Sequence, residues 1–281
     1  MLVAICNGIS ENTMVIFEPD LLNYTSSIRQ VMIRFLFIIS FLLVPSFAFA
    51  WGPLTHVYLG SEIYYFGSLL PAGIYALMRK YRNDFIYGNL MADIIVGKKY
   101  LPDEKSSHNW DVAFSLFDAA TTQQQKAFVY GYMSHLAADT VAHERLTIGR
   151  KNVGHTFLEL KADSIVDKKY WFKAIAIDKK VQVRNDIFLE RSLERAMFSF
   201  RTNKRIFKSV VFLSGLHQER FSSFIDRNII VPPAYTKEYI KKFQEESLDR
   251  IIDILQNGRD SEVLKKNPLG SPRHRRRLFL S

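Results

Sequence analysis

The sequence predicts an all-α protein that folds as a compact multi-helix bundle. Three observations lead to this prediction. Apolar residues recur at helical spacing along most of the chain after Trp51. Alternating strand patterns bounded by turn residues are scarce in the same region. The part of the chain after residue 50 is long enough for one sizeable domain with its own core.

The N-terminal region has the pattern of an export signal. Arg34 supplies a positive charge, Phe35–Val44 an apolar stretch, and Ala48–Ala50 a small-x-small cleavage site. We therefore predict a signal peptide at residues 32–50, and residues 1–31 as an upstream extension or a misassigned start. The apolar run is shorter than the roughly 20 residues that a membrane span needs, although an uncleaved anchor is the alternative. The protein is expected to be periplasmic or extracellular.

Cysteine content and charge limit the chemistry of the exported chain. The only cysteine, Cys6, precedes the expected cleavage site, so packing or metal must replace disulfides. The full chain carries 38 Lys and Arg against 28 acidic residues, a net charge of +10. This charge favours an anionic partner and does not distinguish phospholipid headgroups from nucleic acid.

Helical periodicity and turn residues predict nine or ten helices, of which nine have approximate bounds. In chain order they are Leu54–Leu69, Pro71–Tyr81, Asn83–Ile95, His108–Ala119, Thr122–His143, His155–Phe172, Val181–Thr202, Asn203–Phe221 and Pro233–Gln256. A charged loop is expected at 98–107 and a turn at 150–154. The end of the chain, 259–281, combines turn residues with a basic run and is predicted to be flexible.

The fifth predicted helix carries three polar residues on one strip. His135, Asp139 and His143 are four residues apart, so each step advances about 40° around the helix and roughly 6 Å along it. Their neighbours are apolar, and such groups are costly to bury unless they are paired or bind a metal. His155 and Glu159 repeat this spacing in the next helix. Helical bundles build metal sites in this way.

Two further residues extend this set. Asp93 lies in an otherwise apolar stretch, and His108 lies at a helix start. Any one of these pairs could be a local ion pair, but five of the seven histidines fall between Trp51 and Glu159. Histidine combined with carboxylate favours zinc over magnesium or calcium, which prefer oxygen ligands.

Taken in order, nine residues resemble the zinc-dependent phospholipase C and S1/P1 nuclease superfamily, whose members are exported, all-α enzymes with three zinc ions in a cleft. The nine are Trp51, His56, Asp93, His108, His135, Asp139, His143, His155 and Glu159. The resemblance implies that residues 51–258 form a catalytic domain of this type.

The resemblance also implies how two of the ions are held. The α-amino group and carbonyl of Trp51 would bind the first together with His56. Asp139 would bridge the first ion to the second. The remaining ligands of the second ion would be Asp93, His108 and His135.

The third ion would be bound by His143, His155 and Glu159. Asp93 is the carboxylate that the resemblance places best for a general base. Family members use paired metals to polarise a phosphoryl oxygen and to lower the pKa of an attacking water.

Some local patterns differ from those of the well-studied family members, and they do not all favour the same branch of the superfamily. Asp139 and His143 are four residues apart, where those members use six. The segment from Trp51 to His56 has no acidic residue, which argues against recognition of choline. Its Trp-Gly start is more similar to the nucleases, whereas the His-x-x-x-Glu pair ending at Glu159 is more similar to the phospholipases.

Three functions are consistent with the sequence. The first is a secreted zinc phosphodiesterase of phospholipase C type, acting on phospholipid or another phosphodiester, with peripheral contact to an anionic membrane surface. The second is a single-strand nuclease or 3′-nucleotidase that uses the same ions. The third is a binding or scaffold domain whose zinc serves folding alone. No oligomeric state is predicted.

Overall fold

The computed structural model describes residues 50–94, 106–146, 152–193, 199–216 and 235–270, and for 152–156, 213 and 216 the backbone alone. All of them belong to the unit Ser46–Ser281. The expected signal peptide, apart from Ala50, and residues 1–31 lie outside the described residues. Among the helices within these ranges, none combines the length and apolar character needed to cross a membrane.

The described ranges contain helices and no strand, which confirms the all-α prediction. The α-helices are α1 Pro53–Glu62, α2 Ala72–Lys80, α3 Arg82–Met91, α4 Trp110–Ala119, α5 Gln123–Val141, α6 Asn152–Ser164, α7 Lys168–Ile175, α8 Lys179–Ser192, α9 Phe200–Leu216 and α10 Lys237–Asn257. The 3₁₀ turns are Ile63–Leu69, Ala92–Ile94, Gly258–Asp260 and Glu262–Lys265.

Three predicted helices are divided in the structure, and one of them, Val181–Thr202, contains the end of α8 and the start of α9. The first predicted helix becomes α1 followed by the turn Ile63–Leu69, with non-helical dihedral angles at Phe66. The helix predicted from His155 to Phe172 becomes α6 and α7. Asp167 lies between them, and its side chain accepts a hydrogen bond from the Lys169 amide at 2.8 Å. This N-cap starts a new helix, which periodicity alone does not reveal.

The predicted boundary at Asn203 is wrong. Asn203 is fully buried inside α9, and the helix starts earlier, because the Ser199 hydroxyl accepts a hydrogen bond from the Thr202 amide. A serine at this position competes well for the first free amides of a helix. The predicted boundary therefore falls at a buried side chain inside a continuous helix.

The predicted flexible tail is wrong for residues 259–270. Asp253 of α10 accepts hydrogen bonds from the Ser261 hydroxyl and the Val263 amide, and these fix the turn Glu262–Lys265. Residues 271–281 lie outside the described part of the chain. We call 258–270 the C-terminal strap.

Helix α5 lies at the centre of the bundle and packs on α3 and α10. Gly88 of α3 and Gly131 of α5 lie at the crossing of the first pair. A Cβ atom on Gly88 would lie 1.9 Å from the Phe128 carbonyl oxygen, and one on Gly131 would lie 1.9 Å from that of Phe85. Only glycine allows the two backbones to approach this closely. This contact brings the end of α3 to the polar strip of α5.

The end of α5 differs from a regular helix. The helix begins at the N-cap Thr122, as predicted, and Thr122 forms a capping box with Gln125, but the α-helical part ends at Val141. The next residues, Ala142–Leu146, form a turn of π-helix. The wider turn displaces His143 from the position that a continuous α-helix would give it.

Candidate metal centre

Five of the predicted ligands converge from four parts of the chain. His56 lies in the first turns of α1, Asp93 in the 3₁₀ turn after α3, His108 just before α4, and His135 and Asp139 on α5. Each is at most 1% exposed. One ligand atom from each of the last four lies within 4.8 Å of the others.

Asp139 presents its two oxygens to different histidines. Its Oδ1 lies 3.1 Å from Nε2 of His56, whereas its Oδ2 lies 3.0 Å from Nε2 of His108 and 3.2 Å from Nε2 of His135. Asp93 faces the second pair, with Oδ1 3.1 Å from Nε2 of His108. The two Nε2 atoms of His108 and His135 are 2.9 Å apart. One carboxylate thus lies between two groups of ligand atoms.

His135 is oriented by the backbone of α3. Its Nδ1 lies 2.7 Å from the Asn89 carbonyl oxygen, which can only accept a hydrogen bond. In the neutral ring that a metal ligand requires, the proton is therefore on Nδ1, and the lone pair of Nε2 is available to a metal between it and the carboxylates. The His56 ring stacks on the His135 ring with 3.6 Å between centroids.

His108 is held by the polar segment that precedes α4. The Ser106 hydroxyl accepts a hydrogen bond from the His108 amide at 3.2 Å, and Ser107 Oγ lies 3.3 Å from Nδ1 of the ring. The Tyr132 hydroxyl of α5 donates to the Ser107 carbonyl oxygen. This network turns Nε2 of His108 toward the two carboxylates.

Burial and charge set the protonation of these groups. Burial, with the nearby His135, lowers the pKa of His56 to about 4. Burial also opposes the charge on His135, but Asp139 and Asp93 outweigh it and raise the pKa of His135 to about 9. The two histidines likewise outweigh burial at Asp139 and hold its pKa well below the usual range. The carboxylate is ionised at neutral pH, as a metal ligand must be.

The donor set fits zinc. Among the described residues, no group makes a hydrogen bond of acceptable geometry with either ring nitrogen of His56 or either oxygen of Asp139, although all four atoms are buried. Buried polar atoms without partners are rare and indicate a function or a missing ion. Imidazole nitrogens with carboxylate oxygens are the ligands that zinc takes in proteins.

Trp51 is anchored by its indole ring. Its Nε1 donates to the Ala138 carbonyl oxygen at 3.0 Å and to the Ser247 hydroxyl at 3.2 Å, and the residue is fully buried. These bonds tie the start of the expected mature chain to the residue before Asp139. The ligand role of the Trp51 backbone stays a prediction.

Asp163 of α6 is a residue of this region that the sequence analysis missed. Its carboxylate accepts hydrogen bonds from the Leu54 amide at 3.1 Å and the Thr55 amide at 2.8 Å, which caps the N-terminus of α1. A Cβ atom on Gly52 would lie 2.3 Å from this carboxylate. The spacing of four from Glu159 was the available signal, because it places both acids on one face of α6.

The described residues do not test the predicted ligand set of the third ion. His143 is half-buried in the π turn, and a Cβ atom on Gly270 of the strap would lie 3.3 Å from its ring. Glu159 is 4% exposed on α6. The side chain of His155 lies outside the described residues, so this part of the set stays a prediction.

The π turn is held by a buried arginine, which the sequence analysis also missed. Arg250 of α10, 8% exposed, donates to the Thr140 hydroxyl at 2.8 Å and to Glu144 at 2.7 Å. Lys266 of the strap reaches the same Glu144 carboxylate at 3.1 Å. The guanidinium group thus spans the residues that follow Asp139 and His143.

A cavity of about 240 Å³ adjoins the metal centre at His108. Its other walls are the start of α4 and residues 264–269 of the strap. The strap is fixed there because Trp110 Nε1 donates to the Lys266 carbonyl oxygen at 2.9 Å. Among the described residues that line it, and apart from the centre's own ligand, only Lys265 and Lys266 are titratable.

Comparison with known proteins agrees with this geometry. No curated protein and no solved structure matches the chain. The family model described as zinc dependent phospholipase C matches residues 55–205, just over half of the 281 residues. The match includes every predicted ligand from His56 to Glu159. The chain, with its buried Asp and His metal-binding group, belongs to the zinc-dependent phospholipase C family.

Proposed function

We propose that the protein is an exported, zinc-dependent phosphodiester hydrolase that cleaves phospholipids between glycerol and phosphate. The observation that carries this proposal is the buried convergence of His56, Asp93, His108, His135 and Asp139. The family match supports zinc as the metal and phospholipid as the substrate class. The predicted signal peptide at 32–50 supports export.

Three zinc ions are proposed, divided between the two groups of ligand atoms around Asp139 and the set His143, His155 and Glu159. Zinc, when bound, polarises a phosphoryl oxygen and makes water more acidic. Asp139 would share its two oxygens between neighbouring ions, which matches their separate histidine contacts.

Asp93 is the proposed general base. Its carboxylate is buried and lies 3.1 Å from Nε2 of His108, which lines the adjoining cavity. A general base must be within hydrogen-bond reach of the water it activates. Water would form the new bond to phosphorus while the bond from phosphorus to the glycerol oxygen breaks. The proton taken by Asp93 would then pass to that glycerol oxygen. The products are a diacylglycerol and a phosphorylated headgroup.

The cavity beside His108 suits a neutral or anionic headgroup better than a quaternary ammonium group. A quaternary ammonium is usually bound by aromatic faces, often with carboxylates nearby. Here the lining residues are His108, Asn109, Trp110, two lysines and four others without charge. This agrees with the lack of an acidic residue between Trp51 and His56.

Metal content and a substrate panel test the proposal. Protein that is exported and processed naturally should contain close to three zinc ions per chain by elemental analysis. It should hydrolyse soluble short-chain phosphatidylglycerol, and chelation should abolish this activity. Protein without zinc would refute the proposal. Activity on single-stranded DNA alone would replace it with the nuclease function.

Signal-peptide cleavage before Trp51 is proposed to complete the centre by exposing an α-amino ligand. A chain that retains Met before Trp51 should bind one zinc fewer and lose most activity. The matched chain that starts at Trp51 after cleavage of a removable tag should keep both. Equal zinc content in the two chains would contradict N-terminal ligation.

A further inference from the structure

Apolar side chains are exposed on two neighbouring segments, the turn Ile63–Leu69 and α7. The most exposed are Tyr65 at 81%, Phe172 at 54% and Leu69 at 50%. Single exposed apolar residues are ordinary, but a cluster of them on adjoining elements indicates an interaction surface.

Contacts between the described residues join these segments. The Tyr170 hydroxyl of α7 donates to Glu62 at the end of α1, at 2.5 Å. The rings of Tyr58 and Tyr170 meet edge to face, 5.3 Å between centroids. Helix α2 joins the same surface, because the Tyr75 hydroxyl donates to the Tyr64 carbonyl oxygen at 3.3 Å.

The charge on these segments has one sign. Residues 63–83 contain three basic and no acidic residues, and residues 168–177 contain three basic and no acidic residues. The six cations are Arg79, Lys80, Arg82, Lys168, Lys169 and Lys173, all of them exposed. Burial, and then the charges of Arg82 and Lys169, lower the pKa of Lys173, so cations of the two segments lie close to each other.

Several of these cations lie over aromatic rings. The Arg82 guanidinium is 4.4 Å from the centre of the Tyr64 ring, and the Lys173 ammonium is 4.8 Å from that of Tyr170. Long basic side chains that lie along aromatic surface present charge next to apolar groups. This combination suits the interface between lipid headgroups and acyl chains, where both kinds of group find a partner.

We propose that this surface, defined by the six cations with Tyr65, Phe66, Leu69, Phe172 and Ile175, docks the enzyme on anionic phospholipid membranes. We call it the docking patch. The inference builds on the proposed function and adds where the enzyme meets its substrate surface. The patch begins where α1 ends, about 9 Å along the helix from His56. Single-stranded DNA would use the cations and could stack bases on the aromatic rings, but it would offer no partner to the exposed aliphatic groups Leu69 and Ile175.

Vesicle binding tests the proposal without turnover. The probe is a vesicle of phosphatidylcholine mixed with a phosphonate analogue of phosphatidylglycerol, in which a methylene group replaces the glycerol oxygen of the bond to be cleaved. The exported, zinc-loaded protein should sediment with these vesicles and not with pure phosphatidylcholine. Its binding should weaken as salt is added.

Two variants of the docking patch distinguish the contribution of its charges to membrane binding from that of its exposed apolar side chains. Arg79→Gln with Lys80→Gln and Arg82→Gln should weaken vesicle binding roughly 100-fold, since each basic residue near an anionic surface contributes about a factor of five. Tyr65→Ser with Leu69→Ser should weaken it at least about 10-fold through lost apolar contact. Both variants should hydrolyse soluble short-chain phosphatidylglycerol at the wild-type rate.

Matched control variants remove the same kinds of exposed side chain outside the docking patch. Lys237→Gln with Lys241→Gln and Lys242→Gln removes three exposed cations of α10, and Val183→Ser with Ile187→Ser removes two exposed apolar groups of α8. These controls should bind vesicles within about threefold of the wild type. Equal losses in patch and control variants, or a patch loss seen with single-stranded DNA and not with vesicles, would overturn the proposal. Vesicle binding without hydrolysis of the soluble lipid would instead refute the proposed function.

Discussion

The two halves of the candidate centre are built differently. The half around Asp139 is closed: its ligands are at most 1% exposed, and the position of α3 against α5 is fixed by two glycines. The half around His143 lies on a π turn that is held from outside by Arg250 and by the C-terminal strap. The first half is therefore an intrinsic product of helix packing. The second depends on contacts that are distant in sequence.

The largest expected effect comes from the carboxylate at the centre of the closed half. Asp139→Asn keeps the size of the side chain and removes the charge that three histidines face. We expect a loss of more than about 100-fold in hydrolysis of soluble phosphatidylglycerol, and loss of at least one zinc ion by elemental analysis. Asp118→Asn, at an exposed pair with Arg259, is the control and should change neither. Unchanged turnover in Asp139→Asn would show that this carboxylate is not part of the catalytic centre.

A substitution outside the ligand set should also disrupt the closed half, because its geometry depends on the crossing of α3 and α5. Gly131→Ala would place a Cβ atom 1.9 Å from the Phe85 carbonyl oxygen and force α3 away from α5. We expect a loss of about 3 kcal/mol in the free energy of unfolding, measured by urea denaturation, together with weaker zinc retention. The movement would displace the Asn89 carbonyl that orients His135.

The control for this change is another helical glycine. Gly73→Ala on α2 meets no atom within 4 Å, so its stability should be unchanged or slightly higher. A Gly131→Ala protein as stable as Gly73→Ala would mean that the crossing of α3 and α5 can relax at little cost.

Substitution of the buried Arg250 should weaken zinc binding in the second half of the centre. Arg250→Met removes the donors to Thr140 and Glu144 and retains an apolar stem of similar length. We expect a loss of about 2 kcal/mol in the free energy of unfolding and a preferential loss of one zinc ion, since the turn carrying His143 is released. Arg145→Met is the matched control: this exposed arginine of the same turn contacts Glu246 at 3.5 Å and should cost less than about 0.5 kcal/mol.

If the Arg250→Met protein keeps all its zinc, the second half of the centre does not depend on its contacts with α10. Equal losses of zinc from both halves would show that the two are one cooperative unit. Zinc content measured beside the unfolding free energy distinguishes these outcomes from simple destabilisation.

The difference between the two halves of the centre also explains which parts of it could be predicted from the sequence. Helical periodicity located α5 and placed His135 and Asp139 on one strip, because ligands four residues apart share a face in any regular helix. Asp93 and His108 were found because they are polar residues in or beside apolar segments. The structure brings all four together.

The second half was harder to predict because its geometry depends on tertiary contacts. A π turn has no distinctive residue pattern, so Thr122–His143 looked like one helix. Arg250 lies 110 residues from the threonine that it binds. The strap looked flexible because its turn residues and charges gave no sign of the Asp253 carboxylate that fixes it.

The smallest expected effect concerns this anchor of the strap. Hydrogen bonds from Ser261, Asn257 and the backbone of the following turn outweigh burial and lower the pKa of Asp253. A lowered folded-state pKa means that the charged form stabilises the fold above the unfolded-state pKa of about 3.9, and that this stability is lost as pH falls through the folded value. Asp253→Asn should therefore cost about 1 kcal/mol near pH 6, and this cost should fade below about pH 4.

The measurement for Asp253→Asn is the free energy of unfolding by urea between pH 3 and pH 7, with Asp260→Asn as the control. Asp260 is exposed in the preceding turn and should leave the pH profile unchanged. Because the strap places Gly270 against the His143 ring, a loosened strap should also speed zinc loss to a chelator from the second half of the centre. A cost that does not depend on pH would mean that Asp253 acts through packing and not through its charge.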